Sequence, residues 1–410
     1  MRYFFLLVTS ICILAAAPAL TPAWVEVGPN QRVLVRIVID DSSDCPTIAV
    51  DNGTPTPMQM RIPVPKRFHP VCEFEIPHGT KHAAVGAQNL VLPIENPARI
   101  VVLGDTGCRL KGDRIQACND AAVWPFITVA AAAAHERPQL VIHVGDYLYR
   151  ETPCPAGEDK QCGGSPNGDN WDAWSADFFT PAAKLLAAAP WAFTRGNHEA
   201  CSRSWQGWFY YLDPRPVPET CPDYSEPYVV TLGTFQLLMV DTSAAKDGAV
   251  DAKQLAKYSA LLKPYATTSA WLVEHHPLWG LKHETTDAAD APLTAVMQQA
   301  YEAAGLANIG LVLAGHTHLF EILSYSGGRP PQIVAGDAGT ALADKIQKDL
   351  KGETVFGTQV ESGTSRHQFG FTLLQRKDRR WDLALKDPSD KTLASCKIQG
   401  KSVRCKGSKP

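Results

Sequence analysis

The sequence has no CxxC pair, no internal repeat, no substantial low-complexity segment and, beyond its first two dozen residues, no apolar run long enough to span a bilayer. The missing CxxC argues against a zinc–thiolate site, the missing repeat against a solenoid or propeller, and the missing long apolar runs against an integral membrane protein. Charge of one sign is also lacking: 39 Lys plus Arg stand against 42 Asp plus Glu, a net charge of -3. That balance argues against a strongly basic nucleic-acid binder and gives no reason to expect a nucleic-acid or membrane partner. With 45% hydrophobic and 20% charged residues over 410 positions, the chain reads as globular, with material for two or three domains.

What is present begins with an address. Arg2, the apolar stretch Tyr3 to Ala17, and the small-residue sites Ala17-Pro18-Ala19 and Thr21-Pro22-Ala23 form the pattern of a secretory signal peptide, assigned to residues 1–23. Ile11 before Cys12 fits a lipoprotein cleavage box poorly, so a secreted or periplasmic protein is expected. Of 11 cysteines, removal of Cys12 leaves ten, in five local couples: Cys45 with Cys72, Cys108 with Cys118, Cys154 with Cys162, Cys201 with Cys221, and Cys396 with Cys405. Ten cysteines allow many connectivities; nearest-neighbour pairing closes small loops without crossing the chain and suits an oxidising compartment.

Residues 24–96 are rich in Val, Ile, Pro and turn residues, with the alternating run Arg32 to Val38, and predict a small β-rich N-terminal domain. From 97 to 385, short apolar strands alternate with Ala-rich helical stretches, the texture of an α/β domain. Strands are expected at 100–103, 140–144, 192–194, 229–232, 236–240, 269–273, 309–313 and 332–334, and helices at 120–136, 171–188, 251–263 and 291–304. Residues 151–170 read as a long surface loop, and 386–410 as a solvated, Lys-rich tail pinned by a disulfide.

Polar residues recur where these strands end: Gly104-Asp105-Thr106-Gly107, Gly145-Asp146-Tyr147-Leu148-Tyr149, Gly196-Asn197-His198-Glu199, His275-His276-Pro277 and Gly315-His316-Thr317-His318. Alone, a Gly-Asp pair suits an ordinary turn and Gly-Asn-His a helix cap, while His316 and His318, at alternate positions, suit a solvated pair as well as a metal site. Together, at strand exits pointing one way, they gather oxygen and imidazole donors without thiolate, a set suited to zinc, iron or manganese and to two-metal hydrolysis.

In these blocks the chain resembles the calcineurin-like metallophosphoesterases and, within them, the purple acid phosphatases, whose motifs are GDxG, GDxxY, GNH with an acidic residue, VxxH and GHxH. The fourth is imperfect, with Leu272 in place of Val. The resemblance covers roughly residues 100–340 and implies a sandwich of two facing mixed sheets flanked by helices. Gly107 stands where other branches carry a histidine, and Tyr149 takes that role by resemblance. One metal is then held by Asp105, Asp146, Tyr149 and His318. The second shares Asp146 and takes Asn197, His275 and His316. Three potentially anionic oxygens against one imidazole favour ferric iron in the first site; the second suits divalent iron, zinc or manganese.

The expected activity is hydrolysis of small phosphomonoesters by metal-activated hydroxide, with His198 orienting the phosphate and protonating the leaving oxygen. A phosphodiesterase or nucleotide hydrolase uses the same centre, and a non-catalytic binding protein is the reading from another class. Of the adjacent pair, His275 is chosen as ligand for its place two residues before Pro277, since consecutive residues of an extended segment face opposite ways. His276, Glu199, Arg203, Asp241 and His283 are candidates for the surrounding shell or for substrate contacts, as is His367. Asp337 is read as part of a turn near the site. The aromatic set Trp171, Trp174, Trp205, Trp208, Phe209 and Tyr210 suits either core or a pocket wall.

Overall fold

The computed structural model describes residues 19–156, 160–279, 294–343 and 351–406. Among these residues, an eleven-stranded and an eight-stranded sheet carry the architecture, with a four-stranded and a two-stranded sheet beside them. The strands Arg99–Leu103, Leu140–His143 and Pro190–Phe193 lie parallel and adjacent in the larger sheet. Ala270–Val273, Ile309–Ala314 and Gln332–Ala335 do so in the smaller.

Period-two alternation stacks these sheets. Ile100, Val102, Leu140 and Ile142 point inward to meet Val273, Leu311 and Leu313 of the other sheet in one core. Val101, Leu103 and Val141 point outward, under the helices Phe126–His135 and Thr180–Ala188. Leu272 and Val312 point the other way, under Ala252–Leu262 and Ala295–Ala304. The result is the expected α/β architecture of two facing mixed sheets between helical layers. Each such fully buried Leu, Ile or Val stabilises the stack by about 1.5–3 kcal/mol relative to an exposed one.

Helix limits follow local chemistry. Asn170 caps the segment starting at Trp171, its side chain accepting from the Ala173 amide at 3.1 Å. Asp251 caps the next helix, accepting from the amides of Lys253 and Gln254 at 2.9 and 3.2 Å. Gly305, at φ +71°, ends the last. The helix expected from 120 begins only at Phe126, because Pro125 has no N–H and disfavours helix in the residue before it. Two further strands carry no legible signal in the sequence: Phe320–Tyr325 is buried at every position, so it has no alternation, and Thr358–Arg366 is largely polar.

The N-terminal strands divide. Ile48, Ala83 and Val85 belong to the small four-stranded sheet, whereas Trp24–Val27, Val33–Val38 and Val71–Glu75 extend the large one. Val25 pairs with Pro190 and Glu26 with Trp191 in parallel register. Trp24, Val38 and Val71 face the helical core, while Val25, Val35 and Ile37 face the small sheet. Arg36, fully buried, locks this extension: it donates to Glu26 at 2.8 Å, to Glu73 at 2.6 Å and to the carbonyls of Tyr211 and Asp213 at 2.8 Å each.

At both ends the described residues are bonded into the fold. Residues 392–406 form the antiparallel strands Thr392–Gln399 and Ser402–Lys406 at the edge of the large sheet, with Ala394, Cys396 and Ile398 turned into the inter-sheet core; alternation prevailed over Lys-rich composition. At the other end, residues 1–18 lie outside the described residues, but Leu20 to Ala23 are knitted into the fold. The Leu20 amide donates to the Val38 carbonyl at 2.9 Å, Thr21 Oγ1 accepts from the Val38 amide at 3.0 Å, and Gln88 brackets Ala23.

All five nearest-neighbour disulfides are formed: Cys45 with Cys72, Cys108 with Cys118, Cys154 with Cys162, Cys201 with Cys221, and Cys396 with Cys405. Their surroundings differ. Cys72 is fully buried in the core between the small sheet and the extension of the large one, so its bridge fastens the loop at Cys45 to a strand. Cys221 is only partly buried, packs against the helical core and lies with its sulfur 3.1 Å from the Arg195 guanidinium. Among the described residues no helix is long and apolar enough to cross a membrane.

Candidate metal centre

The motif residues follow the ends of five parallel strands, three from the large sheet and two from the smaller, and meet at the seam between them. The turns are forced tight. Asp105, Asp146 and His316 all take left-handed backbone conformations, at φ +55°, +61° and +71°, uncommon for residues with a side chain. Gly145, at φ +97°, leaves room for the His275 ring: a Cβ there would lie 2.6 Å from Nδ1. A side chain at Gly196 would collide with the Asp146 carboxylate.

Two clusters of donors result. In the first, the buried Tyr149 hydroxyl lies 2.8 Å from Asp105 Oδ1, 2.8 Å from Asp146 Oδ2 and 2.9 Å from His318 Nε2. One hydroxyl has one proton, and cannot satisfy two carboxylates and an imidazole together. Burial and the two carboxylates push the phenol well above its ordinary range. A cation among these atoms reverses that preference, so the set fits a metal ion.

In the second, Asn197 Oδ1 lies 2.9 Å from His275 Nε2 and 3.1 Å from His316 Nδ1, with Asp146 Oδ2 3.2 Å from His275 Nε2. Asp146 thus touches both clusters. His275 is held by its Nδ1 at 2.8 Å from the Val144 carbonyl, which leaves Nε2 for the centre.

The neighbouring His276 departs from expectation. It does not face away: its ring lies 4.2 Å from the His316 ring, and with His316 and Asp247 it forms a compact donor group, as do Asp105, Asp146 and His275. The alternation rule applies to extended chain, and the strand has ended at Val273, so the bend at 275–276 turns both rings to one side.

The surrounding residues have distinct placements. Buried Glu199 clamps the Asp146 loop, one oxygen accepting from the amides of Tyr147 and Leu148 and the other from those of Asp146 and Gly196. Asp241 binds Arg195 at 3.0 Å, and Arg195 reaches the Glu199 carbonyl at 2.9 Å, a support two steps from the centre.

His198, almost fully buried, lies with Nδ1 2.7 Å from Glu151 and its ring 3.6 Å from that of Tyr149. Burial pushes the imidazole down to about 4, against Asp146 and Glu151. Arg203 packs against both His198 nitrogens, at 2.8 and 2.9 Å, and pairs with Glu151. His367 is exposed and outside the cleft, and His283 lies outside the described residues. Asp337 is fully buried, its carboxyl without a hydrogen-bonding side chain or neighbouring amide among the described residues, and burial and Asp105 push it up to about 8. None of the aromatic set lines the cleft at the centre: Trp171, Trp174, Trp208, Phe209 and Tyr210 are core, and Trp205 packs against it.

The centre opens into a cleft of 440 Å³ lined by His198, Asn197, His316 and His318 and by Arg109, Lys111, Arg114 and Arg203. Arg109, Glu151 and Asp247 belong to no motif of the sequence. Arg109 lies 3.3 Å from His318, 209 residues away, and no local pattern signals such a contact.

Three comparisons bear on this arrangement. No curated protein matches the chain. A purple acid phosphatase, PPD1, from yellow lupin (Lupinus luteus) seeds is similar in structure, with a TM-score of 0.55, 14% identity, and 92% of this chain and 74% of that one covered. The structure of PhoD is similar at a TM-score of 0.58 and 12% identity, covering 95% of this chain and 92% of that one. At such identities these show the fold alone. A model of the calcineurin-like phosphoesterase family matches residues 98–320, which contain the five motif blocks. The chain therefore belongs to the calcineurin-like phosphoesterases, a family of phosphate-ester hydrolases that use a dinuclear metal site.

Proposed function

We propose that this protein is an exported phosphomonoesterase of the purple acid phosphatase type. The observation that carries the reading is the Tyr149 hydroxyl shared by Asp105, Asp146 and His318, a donor set suited to a hard, highly charged cation such as ferric iron. Asp146, Asn197, His275 and His316 would hold a divalent ion of iron, zinc or manganese. The ions, when bound, supply Lewis acidity toward the phosphoryl oxygens and acidify water for in-line attack.

The chain's own residues do the rest. Glu199 holds the Asp146 loop in register. Glu151, close to His198 Nδ1, and Arg203, against both ring nitrogens, fix the imidazole at the mouth of the cleft, where phosphate would meet it together with Arg203. His198 then orients the phosphate and, in the protonated form that burial confines to acid pH, gives its proton to the leaving oxygen. Export is supported by the five disulfides, and the bonds made by Leu20 to Ala23 favour removal of the leader after Ala19 over removal after Ala23.

The test is elemental analysis and visible spectroscopy of the purified protein, followed by rates on p-nitrophenyl phosphate and its bis-ester. Two metals including iron, a visible band abolished by Tyr149→Phe, and faster monoester cleavage are expected. Two metals without that band would remove iron and the tyrosinate, and faster diester cleavage would make the protein a phosphodiesterase.

A further inference from the structure

Arg109, Lys111, Arg114 and Arg203 form a basic wall on a cleft whose floor already gathers a cation-binding donor set. Like charges so placed repel. Burial, then Arg203 and Arg109, hold the Lys111 amine below its ordinary range, although Glu151 lies 3.8 Å away. Arg203 is committed to Glu151 and His198, and Arg109 to His318 and the face of Tyr149, 5.3 Å from the ring centre. Lys111 is half-exposed, and exposed Arg114 has no carboxylate partner among the described residues.

Their support is rigid. Both project from the hairpin of Leu110–Lys111 and Arg114–Ile115, closed at its base by the Cys108–Cys118 disulfide. Gln116 pins it further, accepting from the amides of Arg109 and Ala341 and donating to the carbonyls of Val123 and Gly339. Leu110, Cys108 and Cys118 pack against Cys162 of the following loop. A stapled element that carries cations to the mouth of a cleft is a preorganised anion site.

We propose that Lys111 and Arg114 form a second anion subsite, selecting phosphate esters whose leaving group carries another phosphoryl group. This rests on the phosphomonoesterase reading and narrows it. One phosphoryl group sits at the centre beside His198, and the second is met by the hairpin. The acidic residues lining the cleft, Asp146 and Asp247, lie toward the histidines, and Glu151 on the hairpin side is shared by Arg203, His198 and Lys111, so three carboxylates face four cations.

The experiment compares a hexose bisphosphate with the matching hexose monophosphate, using metal-loaded wild type and K111Q/R114Q. Wild type should favour the bisphosphate by about tenfold in kcat/KM, through KM. The variant should bring the two esters near parity while leaving the monophosphate within about twofold, and salt should erode the wild-type preference. An unchanged ratio, or an equal fall on both esters, overturns the subsite. Calorimetric titration of the bisphosphate separates the two claims. Tighter binding to wild type than to the variant without hydrolysis would keep the subsite and remove the phosphatase reading; equal binding would remove the subsite.

Discussion

The two sheets that enclose the centre bring different chemistry to it. Strands of the larger sheet exit into Asp105, Asp146, Tyr149 and Asn197, which offer oxygen; strands of the smaller sheet exit into His275, His276, His316 and His318, which offer nitrogen. Neither half is a site by itself. The oxygens of the first sheet crowd one another around a single phenolic proton, and the imidazoles of the second supply the remaining donors. The geometry of the centre therefore depends on how the sheets stack, through Ile100, Val102, Leu311 and Leu313. The identity of each donor depends only on its own turn.

The comparison breaks most completely at Asp146, whose carboxylate lies against the Tyr149 hydroxyl and against His275. Asp146→Asn should strip metal from the protein and lower kcat by about a thousandfold or more, checked by elemental analysis beside phosphate release. Full metal content with normal turnover would remove the bridging role.

A smaller loss, about a hundredfold in kcat, is expected from His198→Ala with both metals retained, greatest for esters with poor leaving groups. Loss of metal at constant activity per metal would instead make His198 a structural residue. Glu199→Gln tests the larger sheet alone. It keeps the shape but weakens the acceptor for four amides, and a fall of about tenfold in metal affinity is expected, with recovery in excess metal. The smallest effect on turnover belongs to the edge farthest in sequence from the motifs. Cys396→Ser with Cys405→Ser should cost at most about 2.5 kcal/mol of stability, read as a lower Tm, and leave kcat unchanged.

The same contrast explains what the sequence made legible. The pattern of apolar strand, glycine and polar residue is local, so all seven proposed ligands and His198 stood out, and the structure brings them together. Contacts between distant segments leave no such mark. Arg109 meets His318, and Glu151 meets His198, because the sheets and the disulfide-bearing loops place them there. Alternation identified Arg32 to Val38 as strand but could not name its neighbours, so its continuity with the strand that ends before Asn197 was invisible. In the last strands the alternation of Ala394, Cys396 and Ile398 was there to be read and was overshadowed by composition.

That continuity bears on portability. The family match begins at residue 98, yet a chain shortened to that point would lose Trp24–Val27 from one side of Pro190–Phe193 and bare that side as an open edge. The carbonyls of Tyr211 and Asp213 would lose Arg36 in the same cut. Such an edge invites pairing with another copy, so the shortened protein is expected to self-associate before its chemistry can be assayed. The first strands thus act as a guard against aggregation for the catalytic sheet, and any transplant of this activity to another context must carry them along.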